Sequence, residues 1–278
     1  MINTLKLRAL LEQFFLEDIG NGDITAQHLF ARNKQGNMQL TAKAPGVFCG
    51  EEIIQHGFTL LNSMMQINIQ HNNGDRLVTG DEIAVITGPM VDLLQAERVI
   101  LNLIQRMSGI ATVTSQAVKL VQGTNTKICD TRKTTPGLRM LEKHAVRCGG
   151  GYNHRYGLYD TVMLKDNHIL FAKSITNAVE TLRAQLGHTV KIEIEVETEE
   201  QLREAIANKV DIIMFDNCSP TTITSWINQV PSSIITEASG GIELSQIPAY
   251  AASGVDYISL GYLTHSAPSL DISATVHI

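Results

Sequence analysis

Several features that would settle a protein's class at once are missing from this chain. No run of about 18 apolar residues occurs anywhere in its 278, so no membrane-spanning helix is expected. No secretory leader is expected either: in MINTLKLRALLEQFFLED, Lys6, Arg8, Glu12 and Glu17 interrupt any apolar core of the ~7–15 residues that such a signal requires. Cysteine is sparse. Cys49, Cys129, Cys148 and Cys218 lie far apart with no Cys-x-x-Cys pair, which points to reduced thiols in a cytoplasmic protein, with neither a disulfide framework nor a zinc site. Net positive charge is absent as well. With 22 Lys+Arg against 28 Asp+Glu the chain carries −6, which argues against a protein built to grip nucleic acid. The composition, 44% apolar and 18% charged, is that of an ordinary folded protein and makes disorder unlikely as a class. Its length fits two domains, or one barrel with an appendage.

The charge is unevenly spread. Between Lys127 and Lys173 nine basic residues face four acids, a net +5, which leaves −11 on the remainder. Such an island suggests an anionic ligand, although a solvated helix face is the simpler explanation for part of it. Arg139, Lys143 and Arg147 recur at i, i+4 and i+8 and are read as that solvated face.

Periodicity gives the organisation. Apolar spacing predicts a helix over 4–16, strands over 37–43, 66–70 and 83–87, and a helix over 89–121 broken near Ser108-Gly109. After residue 126, short β-rich runs at 127–130, 161–164, 190–196, 210–215, 233–237 and 255–260 are interleaved with helical windows at 139–148, 174–186, 198–208, 220–229 and 243–253. That is the cadence of βα units, hence a parallel sheet, open or closed. Asp130, Lys165, Glu195, Asp216, Ser239 and Gly261 each fall at or just past the C-terminal end of a run, the edge at which such architectures bind ligands.

The densest chemistry lies between Asp130 and His168. Arg132-Lys133 follows a strand, Gly149-Gly150-Gly151 leads into His154-Arg155, and Lys165 ends the next strand. Arginine forks and a movable lysine charge suit carboxylates and phosphates. Glu193, Glu195 and Glu197 share one side of a strand, and Asp216 closes the following one. One Glu and one Asp on adjacent strands suit a hydrated Mg²⁺; Glu193 and Glu197 are left open. Ser239-Gly240-Gly241 and Gly261-Tyr262-Leu263-Thr264-His265 have the form of phosphate cradles.

Taken together, EDIGNGDIT (17–25), APGVFCG (44–50), GPMVDLLQAERVILNLIQRMSGIAT (88–112), the 130–168 block, IEIEVET (192–198), FDN (215–217), SGGI (239–242) and LGYLTHSAPSLDIS (260–273) resemble the quinolinate phosphoribosyltransferase family. The resemblance covers nearly the whole chain. Ala238, where many members carry Ser, and Cys218 depart from the pattern without removing a charge. It implies an N-terminal α/β sandwich domain over 1–100, joined by the tail 267–278, and an incomplete (β/α) barrel over 101–266. It also implies a cytoplasmic homodimer that binds neither nucleic acid nor membrane, and whose partners are quinolinate and phosphoribosyl pyrophosphate. Transfer with loss of CO₂ gives nicotinate mononucleotide and pyrophosphate, in NAD biosynthesis. No covalent intermediate is required, so the lack of a nucleophile motif is no obstacle.

By motif, Arg132, Lys133, His154, Arg155 and Lys165 would bind quinolinate, with Arg98 arriving from the partner chain. Glu195, Asp216, Ser239, Gly240, Gly261 and His265 would bind phosphoribosyl pyrophosphate. Lys133, Lys165, Glu195 and Asp216 carry the implied catalytic roles, and Mg²⁺, at Glu195 and Asp216, is the implied cofactor. A paralogous family found beside molybdate-transport systems shares the DTRKT and Gly-Gly-x-x-x-His-Arg patterns, but Lys-Asp-Asn-His at 165–168 favours the first reading. A phosphate or nucleotide sensor from another class would not need the carboxylate pair.

Overall fold

The structure is a computed structural model and describes residues 2–31 and 33–277. In chain order the elements are α1 Thr4–Ile19, α2 Ala26–Leu29, β1 Gln35–Ala42, β2 Gly46–Val47, α3 Glu51–Leu61, β3 Gln66–Ile69, β4 Arg76–Leu77, β5 Glu82–Pro89 and α4 Met90–Leu120. There follow β6 Lys127–Cys129, α5 Arg139–Cys148, β7 Val162–Leu164, α6 Asp166–Ala172, α7 Ile175–Arg183, β8 Ile192–Val196 and α8 Glu199–Ala207. The chain closes with β9 Ile212–Asp216, α9 Pro220–Trp226, β10 Ile235–Ser239, α10 Ile247–Ala252, β11 Tyr257–Ser259, α11 Tyr262–His265 and β12 Ile272–His277.

These elements form two compact units. One comprises residues 1–115, 140–150 and 267–278, the other 116–139 and 151–266. Residue 100, the expected boundary, therefore lies inside α4, and α5, expected in the barrel, belongs to the first unit.

The first unit holds an antiparallel sheet in the order β12-β1-β5-β3. Along β1 exposure alternates, with Met38, Leu40 and Ala42 buried, as a strand with one covered face requires. The closing strand β12 pairs with β1 from Asn37↔His277 to Ala42↔Ile272. Helix α4 runs unbroken through Ser108-Gly109, contrary to the expected break. Glycine is there for clearance: a Cβ on Gly109 would drive into the backbone carbonyl of Pro268.

The second unit is an α/β layer around a six-stranded, all-parallel sheet ordered β6-β11-β10-β9-β8-β7. The sheet stays open, as in an incomplete barrel, because β6 and β7 are its two edges. Past β6 the chain returns at Tyr152, which forms an isolated parallel bridge to Cys129. Strand β10 runs two residues later than expected, so Ser239 is its last residue. Helix α6, starting directly after Lys165, was not expected. Among the described residues, no helix is long and apolar enough to cross a membrane.

The basic face expected to be solvated is so only at Arg147, which is exposed. Lys143 is fully buried on α5, beside buried Glu142, whose carboxylate accepts from Arg106 Nε at 2.8 Å. Arg139 is half-buried and donates to Thr134 Oγ1 and to the Tyr156 carbonyl, each at 2.9 Å. Periodicity identified one helix face correctly but could not tell which neighbours cover it. Lys143→Ala is therefore expected to lower stability by about 2–3 kcal/mol, read as a shift in the urea midpoint; an unchanged midpoint would restore the solvated face.

Candidate active site

A cavity of about 1020 Å³ opens at the C-terminal edge of the parallel sheet. Eleven of the expected site residues line it: Arg132, Lys133, His154, Arg155, Lys165, Glu195, Asp216, Ser239, Gly240, Gly261 and His265. Arg98 does not. It lies on α4 in the first unit, 59% exposed, with Glu97 Oε1 3.8 Å from its Nη2.

The cationic wall is built from β6 and the segment beside it. Asp130, fully buried just past β6, accepts from Asn153 Nδ2 at 2.6 Å and from the His154 backbone N–H at 2.8 Å. Those bonds tie the 152–155 segment along β6 and aim His154 and Arg155 at the cavity. The Arg155 guanidinium donates to the Thr161 carbonyl at 3.0 Å. Burial, and then the charge of Arg132, hold its pKa below the usual arginine range, against Glu193, Glu195 and Asp160. The Nε atoms of both Arg132 and Arg155 are buried, with no hydrogen-bond partner among the described residues. Two neighbouring guanidiniums with unanswered donors are a site waiting for an anion.

Carboxylates line the same cavity. Lys165, just before α6, places its Nζ 2.5 Å from Glu195 Oε1. Burial nevertheless raises the Glu195 pKa, outweighing Lys165, with the charges of Asp216 and Glu193 adding to the rise. Asp216 ends β9 and accepts from Asn217 Nδ2 at 2.9 Å. Two carboxylates in mutual repulsion at one cavity wall are hard oxygen donors of the number Mg²⁺ takes when it keeps most of its waters.

The remaining wall is shaped by glycine. Gly240, at φ 104°, has Asn217 packed where a Cβ would stand. A Cβ on Gly261 would sit 2.9 Å from Lys133 Cδ and 3.2 Å from His265 Nε2, so glycine lets both side chains approach that backbone. Thr264 Oγ1 donates to the Lys133 carbonyl at 2.8 Å and fixes this junction.

Beneath the cavity lies a group the sequence reading left open or passed over. His154 Nε2 is 3.1 Å from Glu193 Oε1 and 3.6 Å from Glu237 Oε1. Both carboxylates are buried, and Glu237 also accepts from Ser259 Oγ. Burial pushes the Glu237 pKa up to about 7; His154 and Ser259 oppose the rise, while Glu193 and Asp130 add to it. The available signal was a Glu inside the otherwise uncharged strand ITEAS. Thr131, Asn217 and Ser259 were also missed as lining residues.

Comparison with known proteins joins this geometry to a family. The profile for the quinolinate phosphoribosyl transferase N-terminal domain matches residues 23–108, and that for the C-terminal domain matches 110–275. The chain belongs to the quinolinate phosphoribosyl transferase family. Among curated family members it is 55% identical over 275 residues to the probable nicotinate-nucleotide pyrophosphorylase (carboxylating) of Bacillus subtilis strain 168, covering 99% of this chain and 95% of that one. It is 36% identical over 279 residues to the human nicotinate-nucleotide pyrophosphorylase (carboxylating), covering 98% and 92%. Among solved quinolinate phosphoribosyl transferase-like structures, NadC from Streptococcus pyogenes superposes with a TM-score of 0.96 at 39% identity, covering 100% of this chain and 98% of that one.

The buried carboxylate has a pH signature. Folded Glu237 keeps its proton between the ordinary Glu range and about pH 7, where the unfolded chain has already released it. The folded state therefore binds more protons in that window, and stability falls as pH rises through it. Glu237→Gln, which cannot ionise, is expected to flatten this fall in denaturation midpoints measured from pH 5 to 8. Parallel profiles for the two proteins would contradict the assignment.

Proposed function

We propose that the protein transfers the phosphoribosyl group of phosphoribosyl pyrophosphate to the ring nitrogen of quinolinate with loss of CO₂, producing nicotinate mononucleotide and pyrophosphate. It is thus a pentosyltransferase of NAD biosynthesis, a carboxylating nicotinate-nucleotide pyrophosphorylase. The observation that carries this reading is that two arginines with unanswered donors and a carboxylate pair line one cavity. The first suits a dianionic acceptor, the second a sugar that develops positive charge.

In this reading Arg132 and Arg155 pair with the carboxylates of quinolinate, and Lys133 adds a mobile charge beside them. His154, held by Glu193 and Glu237, completes that wall. Lys165 serves both substrates through its bond to Glu195. Ser239, Gly240, Gly261 and His265 receive the phosphates, where the glycines let backbone N–H groups approach. As the bond from ribose C1 to pyrophosphate oxygen breaks and that to the ring nitrogen forms, Glu195 and Asp216 stabilise the positive charge at C1. The nitrogen, now quaternary, draws in the electron pair left when the adjacent carboxylate departs as CO₂, and a proton takes its place. Glu195 and Asp216 would also hold Mg²⁺, directly or through its waters, which supplies charge neutralisation for the leaving pyrophosphate.

We also infer a cytoplasmic homodimer. The free cysteines support the location, and the exposure of Arg98 supports its delivery to a partner's site.

Incubation with quinolinate, phosphoribosyl pyrophosphate and Mg²⁺ is expected to yield nicotinate mononucleotide and CO₂ in equal amounts. Folded protein that forms neither would sink the proposal. Arg155→Ala and Lys133→Ala are each expected to lower kcat/KM by about 100-fold or more, on the scale of a lost charge-assisted contact. Lys191→Ala, exposed and outside the cavity, is expected to change it less than about threefold; equal losses in all three would overturn the assignment of roles.

A further inference from the structure

The cavity uses no cysteine, yet two cysteines far apart in sequence meet elsewhere. In the first unit, Cys49 lies two residues before α3 and Glu52 sits in its first turn. His144 and Cys148 are one turn apart on α5 and therefore share a face. A nitrogen of His144 and the Sγ atoms of Cys49 and Cys148 all lie within 4.8 Å of one another. His144 Nε2 is 3.4 Å from Cys148 Sγ and 3.7 Å from Glu52 Oε2. In a tetrahedral zinc site, bonds of about 2.3 Å to sulfur and 2.0 Å to nitrogen separate the ligand atoms by roughly 3.3–3.8 Å. The His144–Cys148 and His144–Glu52 spacings fall in that range; Cys49 Sγ stands within 4.8 Å of the other sulfur and the imidazole nitrogen, and Glu52 joins the set from the His144 side.

We propose that Cys49, Cys148, His144 and Glu52 form a binding site for a divalent transition metal, with Zn²⁺ the ion matched by two sulfurs, one imidazole and one carboxylate. The surroundings are those of a prepared site. Asn73 donates its Nδ2–H to Glu52 Oε2 at 2.7 Å, and its Oδ1 accepts from the Gly50 backbone N–H at 2.8 Å, so one side chain orients the carboxylate and the segment carrying Cys49. The Cys49 N–H donates to Ser108 Oγ at 3.0 Å. His144 Nδ1 is buried without a hydrogen-bond partner among the described residues, which leaves Nε2, facing the thiols and Glu52, as the ring's working nitrogen.

Ionisation favours the same use. A hydrogen bond from Cys49 pulls the Cys148 pKa down to about 6; burial opposes this and His144 assists. Burial keeps Cys49 protonated, so metal binding would release its proton and form two thiolate bonds. Cys49 is fully buried, whereas the Glu52 side chain is 34% exposed and gives the ion an entry side. The ion would fasten the end of α5 to the start of α3. It lies apart from the Glu195–Asp216 pair, whose all-oxygen donors suit a harder ion.

The test uses the full chain, reduced and stripped of metal by chelation, then titrated with Co²⁺ and with Zn²⁺. One Co²⁺ per chain should produce the near-ultraviolet sulfur-to-cobalt charge-transfer band and the visible bands of a tetrahedral ion, and Zn²⁺ should displace it. Because carboxylates give no such band, metal at Glu195 and Asp216 does not interfere. Cys148→Ser and Cys49→Ser should each cut the band to half or less, and the double variant should abolish it, with the far-ultraviolet circular dichroism unchanged, while Cys218→Ser retains it in full. If Cys49→Ser fails to fold, Cys148→Ser alone decides. Absence of the band at saturating Co²⁺, or its persistence at full intensity in Cys148→Ser, would overturn the proposal.

Discussion

Two guanidinium groups share one partly dry cavity, and everything else at the site is arranged around that repulsion. Arg132 and Arg155 each leave a buried Nε without a partner among the described residues. An unsatisfied buried donor costs about 1–3 kcal/mol, more when charged, against a total stability of about 5–15 kcal/mol for a domain. A fold keeps such a pair only if something else holds the backbone. Asp130 does that work by binding Asn153 and the His154 N–H from a fully buried position. Under the proposed reaction, part of the cost of leaving those two donors unanswered is recovered when a dianion enters.

The acids sort by depth in the same way. Glu195 and Asp216 reach the cavity, where they can face ribose and a hydrated cation. Glu193 and Glu237 lie beneath and meet the same histidine that lines the wall. One strand supplies both kinds: Glu193 and Glu195 are two residues apart on β8, one fully buried and one partly exposed. That step in depth separates a group that holds His154 from one that, under the proposed reaction, would face the sugar.

Much of this was legible in sequence, for identifiable reasons. Period-2 alternation and βα cadence follow from the geometry of single elements, so the parallel strands and their ligand-binding edge could be read directly. Of the eleven expected lining residues, all but His154, Arg155 and His265 sit at or just past the ends of those strands. What escaped depends on contacts between distant segments. The periodicity of Arg139, Lys143 and Arg147 names a face but not what covers it, and Lys143 is buried. Ser108-Gly109 looks like a helix break, and only the nearby Pro268 carbonyl shows why glycine stands inside a continuous helix. Cys49 and Cys148 show no metal spacing along the chain because the segment before α3 and helix α5, about 100 residues apart, bring them together.

The central claim is that Arg132 and Arg155 are paired for a ligand with two carboxylates. Titration calorimetry of quinolinate and of nicotinate, which lacks one carboxylate, tests it directly in the wild type and in Arg155→Ala. Quinolinate should bind the wild type at least ~10-fold more tightly, about 1.4 kcal/mol, and that preference should collapse in the variant. Equal affinity for the two ligands, or a preference that survives the loss of Arg155, would contradict the account.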